Sequence, residues 1–370
     1  MDAAAARLPL RAAPRRRTRR GGALATLATA ASLLVSACAT VSPPLEGVWY
    51  ARNNDESVRS FVENAARISI VSPQVFALDS AGNIRGSIDP RVVAAARANS
   101  VKLVPLVMNP GFSQPDIHRV LTVPEARANA VRSLAALCRD YHLDGIQFDI
   151  ENVHVSDKDA FTSFVRESVD SVHRAGCSVS AAVVPRTAAP TGPSSYHKYI
   201  AENWRHAFDY RALADTLDFI SYMTYAQHTG GSTPGPVAGF PWMEASLRYV
   251  LSLGVPPSKI SLGIPAYSDY WFTAYDPVSG SRTRGDDMAY PALMEIMAKA
   301  GVAPQWDEVQ KAPFAMWESH GVFELAWLED ARAFKAKLAL VRKYKLRGYS
   351  VWLLGSEDPA TWGILGRVSK

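Results

Sequence analysis

The chain has 370 residues, 20% of them charged, with a formal net charge of +5. That length suits one large α/β barrel or two ordinary domains. The basic balance is no argument for a nucleic-acid partner, because residues 1–37 hold seven arginines against Asp2 alone, a net of +6 that leaves −1 for the rest.

Arg15, Arg16, Arg17, Arg19 and Arg20 precede an uncharged Ala/Leu/Thr-rich run, residues 21–37, that ends Val35-Ser36-Ala37-Cys38. The pattern predicts an export signal, too short and too weakly apolar to span a bilayer. Its last four residues resemble a bacterial lipobox, which would make Cys38 the lipidated first residue of an exported protein anchored to the cell-envelope membrane. Ordinary cleavage near Ala37 or Ala39 is the alternative. Residues 1–38 are thus signal and lipobox, 39–46 a linker with Pro43-Pro44, and 47–370 the folded domain. Cys138 and Cys177 could pair in such a compartment. Cys138 falls late in a predicted helix and Cys177 at a helix-to-strand corner, and two buried free thiols are the preferred reading. The scattered histidines and the lack of CxxC or HExxH spacing point to no metal and no cofactor.

Strand-like runs follow at 47–51, 67–78, 101–108, 145–151, 178–184, 217–225, 259–267 and 347–354, with helical segments between most of them. Eight such runs predict an α/β fold, a (β/α)8 TIM barrel. Thr122 and Glu125, around Pro124, predict a capping box for the helix before strand four. The stretch between strands seven and eight exceeds one crossover, so a small α+β insertion is expected at about 270–330, with turns at Tyr275-Asp276-Pro277 and Ser279-Gly280. The Gly/Pro-rich loop 229–241 belongs on the rim after strand six.

Residues 144–151 read Asp-Gly-Ile-Gln-Phe-Asp-Ile-Glu. A strand has period two, so Gln147, Asp149 and Glu151 share one face and Ile146, Phe148 and Ile150 the other. Two carboxyls about 6–7 Å apart on one strand push one pKa upward and create a proton donor near neutrality. Barrel active sites sit at the C-terminal strand ends. There Val107-Met108-Asn109, Asp149-Ile150-Glu151, Tyr222-Met223-Thr224-Tyr225 and Ser350-Val351-Trp352 describe one pocket with two acids, a phenol, an amide and an aromatic floor. Trp242, Tyr270 and Trp271 either line an outer groove or pack on their neighbours.

These residues resemble glycoside hydrolase family 18, the chitinase-like barrels. The family's strand-four signature, Asp-Gly-x-Asp-x-Asp-x-Glu, stands here as Asp144 to Glu151, with Gln147 at the first internal acid. An amide there is similar to the subgroup of spore-cortex and LysM-bearing peptidoglycan glycosidases. Met223-Thr224-Tyr225 resembles the strand-six element, although Ala226 replaces its usual Asp. Leu262-Gly263-Ile264-Pro265 with Tyr267 resembles strand seven, Trp327 to Ala331 the exit from the insertion, and Gly348 to Trp352 strand eight.

The resemblance implies hydrolysis of a β-1,4-linked, N-acetylglucosamine-containing glycan by substrate assistance, with peptidoglycan favoured over chitin. Glu151 would be the general acid. Asp149 would orient the substrate's 2-acetamido group, Tyr225 would bond its oxygen or the hydrolytic water, and Trp352 would floor the reacting sugar. Gln147 would position Asp149, and Asn109, Met223 and Tyr267 would line the pocket. A monomer is expected. The alternatives are a non-catalytic, lectin-like glycan binder on the same barrel, and a metal site of Asp144, Asp149 and Glu151. Asp144 falls on the opposite strand face, against the metal.

Overall fold

The computed structural model describes residues 45–273, 283–319 and 321–367. The predicted leader, Cys38, most of the linker and the two insertion turns lie outside them. Eight parallel strands run Glu46–Ala51, Ile70–Leu78, Lys102–Leu103 with Leu106–Met108, Gly145–Asp149, Ser178–Val183, Phe219–Tyr222, Ile260–Pro265 and Gly348–Trp352. Strand one pairs with both strand two and strand eight, which closes the barrel. The (β/α)8 expectation therefore holds strand for strand.

Two facing patterns build it. Ile146, Phe148, Val179, Ala181, Ile220 and Leu262 point outward and are buried under the helices. The interior holds a smaller apolar set, Val48, Tyr50, Ile70, Val104, Leu106 and Phe219, mixed with buried Ser72, Ser180, Ser221, Ser261 and Ser350. Small hydroxyl residues leave room in the barrel for one large polar side chain, Gln147. The register is pinned at the strand starts. Asp144 accepts the Leu103 N–H at 2.8 Å, and Asp218 accepts the Val179 N–H at 2.7 Å. Gly145 is required beside the first of these, because a Cβ there would stand 2.2 Å from Ser178 Oγ.

The helix before strand four, Pro124–Asp140, buries Ala126, Ala130, Leu134 and Leu137 on one stripe. Its expected capping box does not form. Thr122 is the last residue of the preceding helix, Gln114–Thr122, and its hydroxyl bonds back to the His118 carbonyl at 2.7 Å, so Val123 takes the N-cap position without a side-chain bond.

The cysteine expectation is corrected as well. Cys138 and Cys177 form a disulfide with Cα atoms 6.2 Å apart. Cys138 lies near the end of the helix that leads into strand four and Cys177 immediately before strand five, and those strands are neighbours, so both cysteines meet at the same end of the barrel. Closing a 39-residue separation constrains the unfolded chain. Replacing both cysteines by alanine is expected to lower unfolding free energy by about 4 kcal/mol in the chain-entropy treatment, measurable by urea titration.

The insertion spans Tyr267 to Trp327. Among the described residues it is a five-stranded antiparallel sheet, Tyr267–Thr273, Thr283–Ala289, Gln305–Asp307, Ala312–Ser319 and Val322–Trp327, with one helix, Tyr290–Lys299. The helix packs Leu293 and Met297 on Ala315, Trp317, Ala326 and Leu328. The chain re-enters the barrel through Asp330, which caps helix Ala331–Lys343 by accepting the Ala333 N–H at 2.7 Å. Glu329 and Lys337 form a buried ion pair beneath it.

Candidate active site

Strand four delivers its polar face into the barrel in order of depth. Gln147 is deepest and fully buried, and all its groups are engaged. Its Oε1 accepts the Tyr50 hydroxyl at 2.6 Å, and its Nε2 donates to Ser180 Oγ at 2.9 Å and Ser221 Oγ at 3.0 Å. It therefore braces the floor beneath Asp149 and makes no hydrogen bond to that carboxylate. One step up, Asp149 is 4% exposed and accepts from Gln74 Nε2 at 3.5 Å. Glu151 follows at the strand exit, half-buried.

Asn109, at the end of strand three, clamps the Glu151 backbone from both sides. Its Oδ1 accepts the Glu151 N–H at 3.1 Å, and its Nδ2 donates to the Glu151 carbonyl at 3.0 Å. With 1% exposure it fixes the direction of the acid and presents no free amide to the pocket.

Electrostatics divide the two acids. Burial pushes the Asp149 carboxyl up to about 6, and the bond from Gln74 opposes the rise. Burial, then the charge of Asp149, push Glu151 up to about 8. The pair releases its protons in two coupled steps, and near neutrality it holds one proton, with Glu151 the better holder.

The remaining walls come from three other strand ends. Tyr225 lies half-buried among Tyr50, Asp149, Glu151 and Tyr267, and burial with those neighbours raises its phenol well above the ordinary value. Met223 and Tyr267 are 8% and 6% exposed. Trp352 is half-buried at the end of strand eight, with its ring 5.5 Å from that of Tyr50 and the Arg52 guanidinium 5.6 Å from its centroid. Glu151, Asp149, Tyr225, Tyr267, Met223 and Trp352 thus come from the ends of strands four, six, seven and eight.

Trp242, Tyr270 and Trp271 do not line that mouth. Trp271 is only 2% exposed, Trp242 packs on the barrel core, and Tyr270 stacks on Trp317 within the insertion. A concavity of 620 Å³ does open on the inserted sheet beside Tyr270, Phe272 and Asp287. Asp287 is the cross-strand neighbour of buried Asp269, whose carboxyl is pushed up to about 9 by burial first and then by the charge of Asp287. Two contributors were not singled out from sequence. Tyr50 lies one residue before the end of strand one, inside the barrel, and Gln74 follows Pro73 where the register of strand two shifts. The only sequence signal for either is a polar group in an otherwise apolar run.

Comparison with known proteins decides the family. The family model for glycosyl hydrolases family 18 matches residues 56–357. The chain belongs to glycosyl hydrolases family 18. Among curated relatives, it is 28% identical over 247 residues to the putative sporulation-specific glycosylase YdhD of Bacillus subtilis, covering 66% of this chain and 54% of that protein. It is 29% identical over 259 residues to the cortical fragment-lytic enzyme of the same organism, covering 70% of this chain and 57% of that protein. The chain thus spans little more than half the length of these two relatives. The crystal structure of the Bacillus megaterium spore cortex-lytic enzyme SleL superposes with a TM-score of 0.77 at 23% identity, covering 89% of this chain and 75% of that one.

Proposed function

We propose that this family 18 barrel is an envelope glycosidase that cleaves β-1,4-linked, N-acetylglucosamine-containing glycan with retention, and that peptidoglycan is its substrate. One observation carries the reading. Glu151 and Asp149 project from one strand face at the open end of the barrel, and their surroundings leave Glu151 holding the shared proton.

The chemistry follows from that division. Glu151 gives its proton to the glycosidic oxygen as the bond from that oxygen to the anomeric carbon breaks. The carbonyl oxygen of the substrate's 2-acetamido group attacks the anomeric carbon and forms an oxazolinium ion. Ionised Asp149 accepts the acetamido N–H and offsets the positive charge developing on it. Glu151, now a carboxylate, takes a proton from water as the water opens the oxazolinium, which regenerates the acid and the original anomeric configuration. Tyr225 bonds the acetamido oxygen, and Trp352 stacks under the reacting sugar.

Export and anchoring through Cys38 belong to the same proposal. The Cys138–Cys177 disulfide supports an oxidising compartment, and an enzyme tethered in the envelope meets peptidoglycan before any other such polymer. The names of the relatives, cortical fragment-lytic enzyme and sporulation-specific glycosylase, agree with a wall-type substrate. The test is turnover by residues 39–370 of a fluorogenic N,N′-diacetylchitobioside and of insoluble peptidoglycan. New reducing ends of retained configuration are expected, and tight binding of either glycan without turnover would sink the proposal.

A further inference from the structure

The rim beside Glu151 carries a constellation that the hydrolytic scheme leaves unused. Strand four leaves the barrel through Asn152, at φ 54°, a left-handed conformation that asparagine tolerates. The Asn152 amide donates to the Phe112 carbonyl at 3.0 Å. Gln114 Nε2 donates to the Asn152 carbonyl at 3.2 Å and to Asn203 Oδ1 at 2.9 Å. The segments that follow strands three and five are thereby bolted to the residue next to the acid.

On that frame Phe112 and Trp204 meet edge to face, with ring centroids 6.2 Å apart and planes at 71°. Both rings are half-buried. Trp204 sits in a π-helical stretch, Ala201–Arg205, a feature frequent at functional sites. The helix before it, Ser195–Ile200, leaves Tyr196 64% and Tyr199 49% exposed, so the apolar surface continues outward.

The same segment is electropositive. Lys198 is balanced by Glu202 at 3.7 Å, but exposed Arg205 enters no ion pair among the described residues. After burial, the charges of Arg186 and Arg205 are what hold His206 below its ordinary value, against the opposing effect of Glu202. A pyranose presents an apolar face to an aromatic ring, and a guanidinium prefers a carboxylate.

We propose that Phe112, Trp204 and Arg205 form an outer glycan subsite beside Glu151 that selects a pyranose bearing a carboxylate, such as the lactyl ether of a peptidoglycan sugar, over a neutral N-acetylglucosamine unit. The inference rests on the glycan-hydrolysing reading and refines its substrate class.

Calorimetric titration in a Glu151→Gln background separates the two. The ligands are a lactyl-bearing peptidoglycan tetrasaccharide without stem peptide, and chitotetraose. The lactyl-bearing ligand is expected to bind about five-fold more tightly, as an exposed charge contact allows. Adding Arg205→Ala should bring the affinity ratio close to one, and Arg205→Lys should restore most of it. Trp204→Ala should weaken both ligands about ten-fold, by loss of ring stacking, and Trp204→Phe should recover part of that loss. Equal affinities for the two glycans, or a ratio indifferent to Arg205, would overturn the subsite and leave the hydrolytic reading standing. Failure to bind either glycan would overturn both.

Discussion

Glu151→Gln is expected to lower kcat on natural glycan by about 10²–10⁴-fold, the usual contribution of a positioned general acid. KM should stay within a few-fold, because the amide keeps the shape of the side chain and the Asn109 clamp holds the backbone rather than the carboxyl. The loss should depend on the leaving group. A natural sugar alcohol needs a proton as it departs, whereas the phenolate of a fluorogenic substrate needs less help, so the fluorogenic substrate should lose far less activity than peptidoglycan. Equal losses on both would remove Glu151 from the role of acid. A second readout requires no substrate. The folded protein raises the Glu151 pKa above its unfolded value. The stability associated with its protonated form is therefore complete below the ordinary glutamate range, and it is lost as pH rises through the raised folded value. Glutamine carries no such proton. The Tm of Glu151→Gln should therefore gain on that of wild type between about pH 4.5 and pH 8. Parallel Tm curves across that window would mean that the carboxyl is not desolvated as described.

What could be read from the residues, and what could not, follows from the range of the interactions. The alternation of Gln147, Asp149 and Glu151 against Ile146, Phe148 and Ile150 is a local property of one strand, and it is preserved because a one-residue slip would bury three polar groups among the helices. The eight strands were legible for a similar reason, since each is an apolar run bounded by a turn. The partners of the acids were not legible. Gln74 reaches Asp149 across 75 residues of sequence, and Tyr50 reaches Gln147 across 97. Nothing within either segment signals the other. The disulfide escaped for the same reason, as its closeness depends on strands four and five being adjacent. The capping box failed differently. Thr122 met the local pattern, but an earlier helix had already claimed it. The rim pair of Phe112 and Trp204 was missed because aromatic residues in connecting segments look alike until the fold brings two of them together.

Asp149→Asn is expected to cost about 10²–10³-fold in kcat, the range seen when a single group that stabilises transition-state charge is removed. The asparagine can still bond the acetamido group, but it carries no negative charge to offset the oxazolinium. The pH profile distinguishes this from mere loss of shape. In the wild type, kcat/KM should rise as Asp149 ionises at its raised value and fall as Glu151 loses its proton above neutrality. Two influences hold Glu151 up: burial first, then the charge of Asp149. Neutralising residue 149 leaves the first and deletes the second. The alkaline limb should therefore move to lower pH, and the acid limb, which belongs to Asp149, should disappear. The direction is diagnostic, because a variant that only disordered the pocket would lower the whole curve without moving either limb. A limb that moved upward would place some group other than Asp149 beside the acid. Gln147 makes the comparison clean, since a neutral amide in the layer below contributes no third proton to the pair. Its bonds to Ser180, Ser221 and Tyr50 persist in the variant, so the floor under residue 149 keeps its shape while the charge above it is removed.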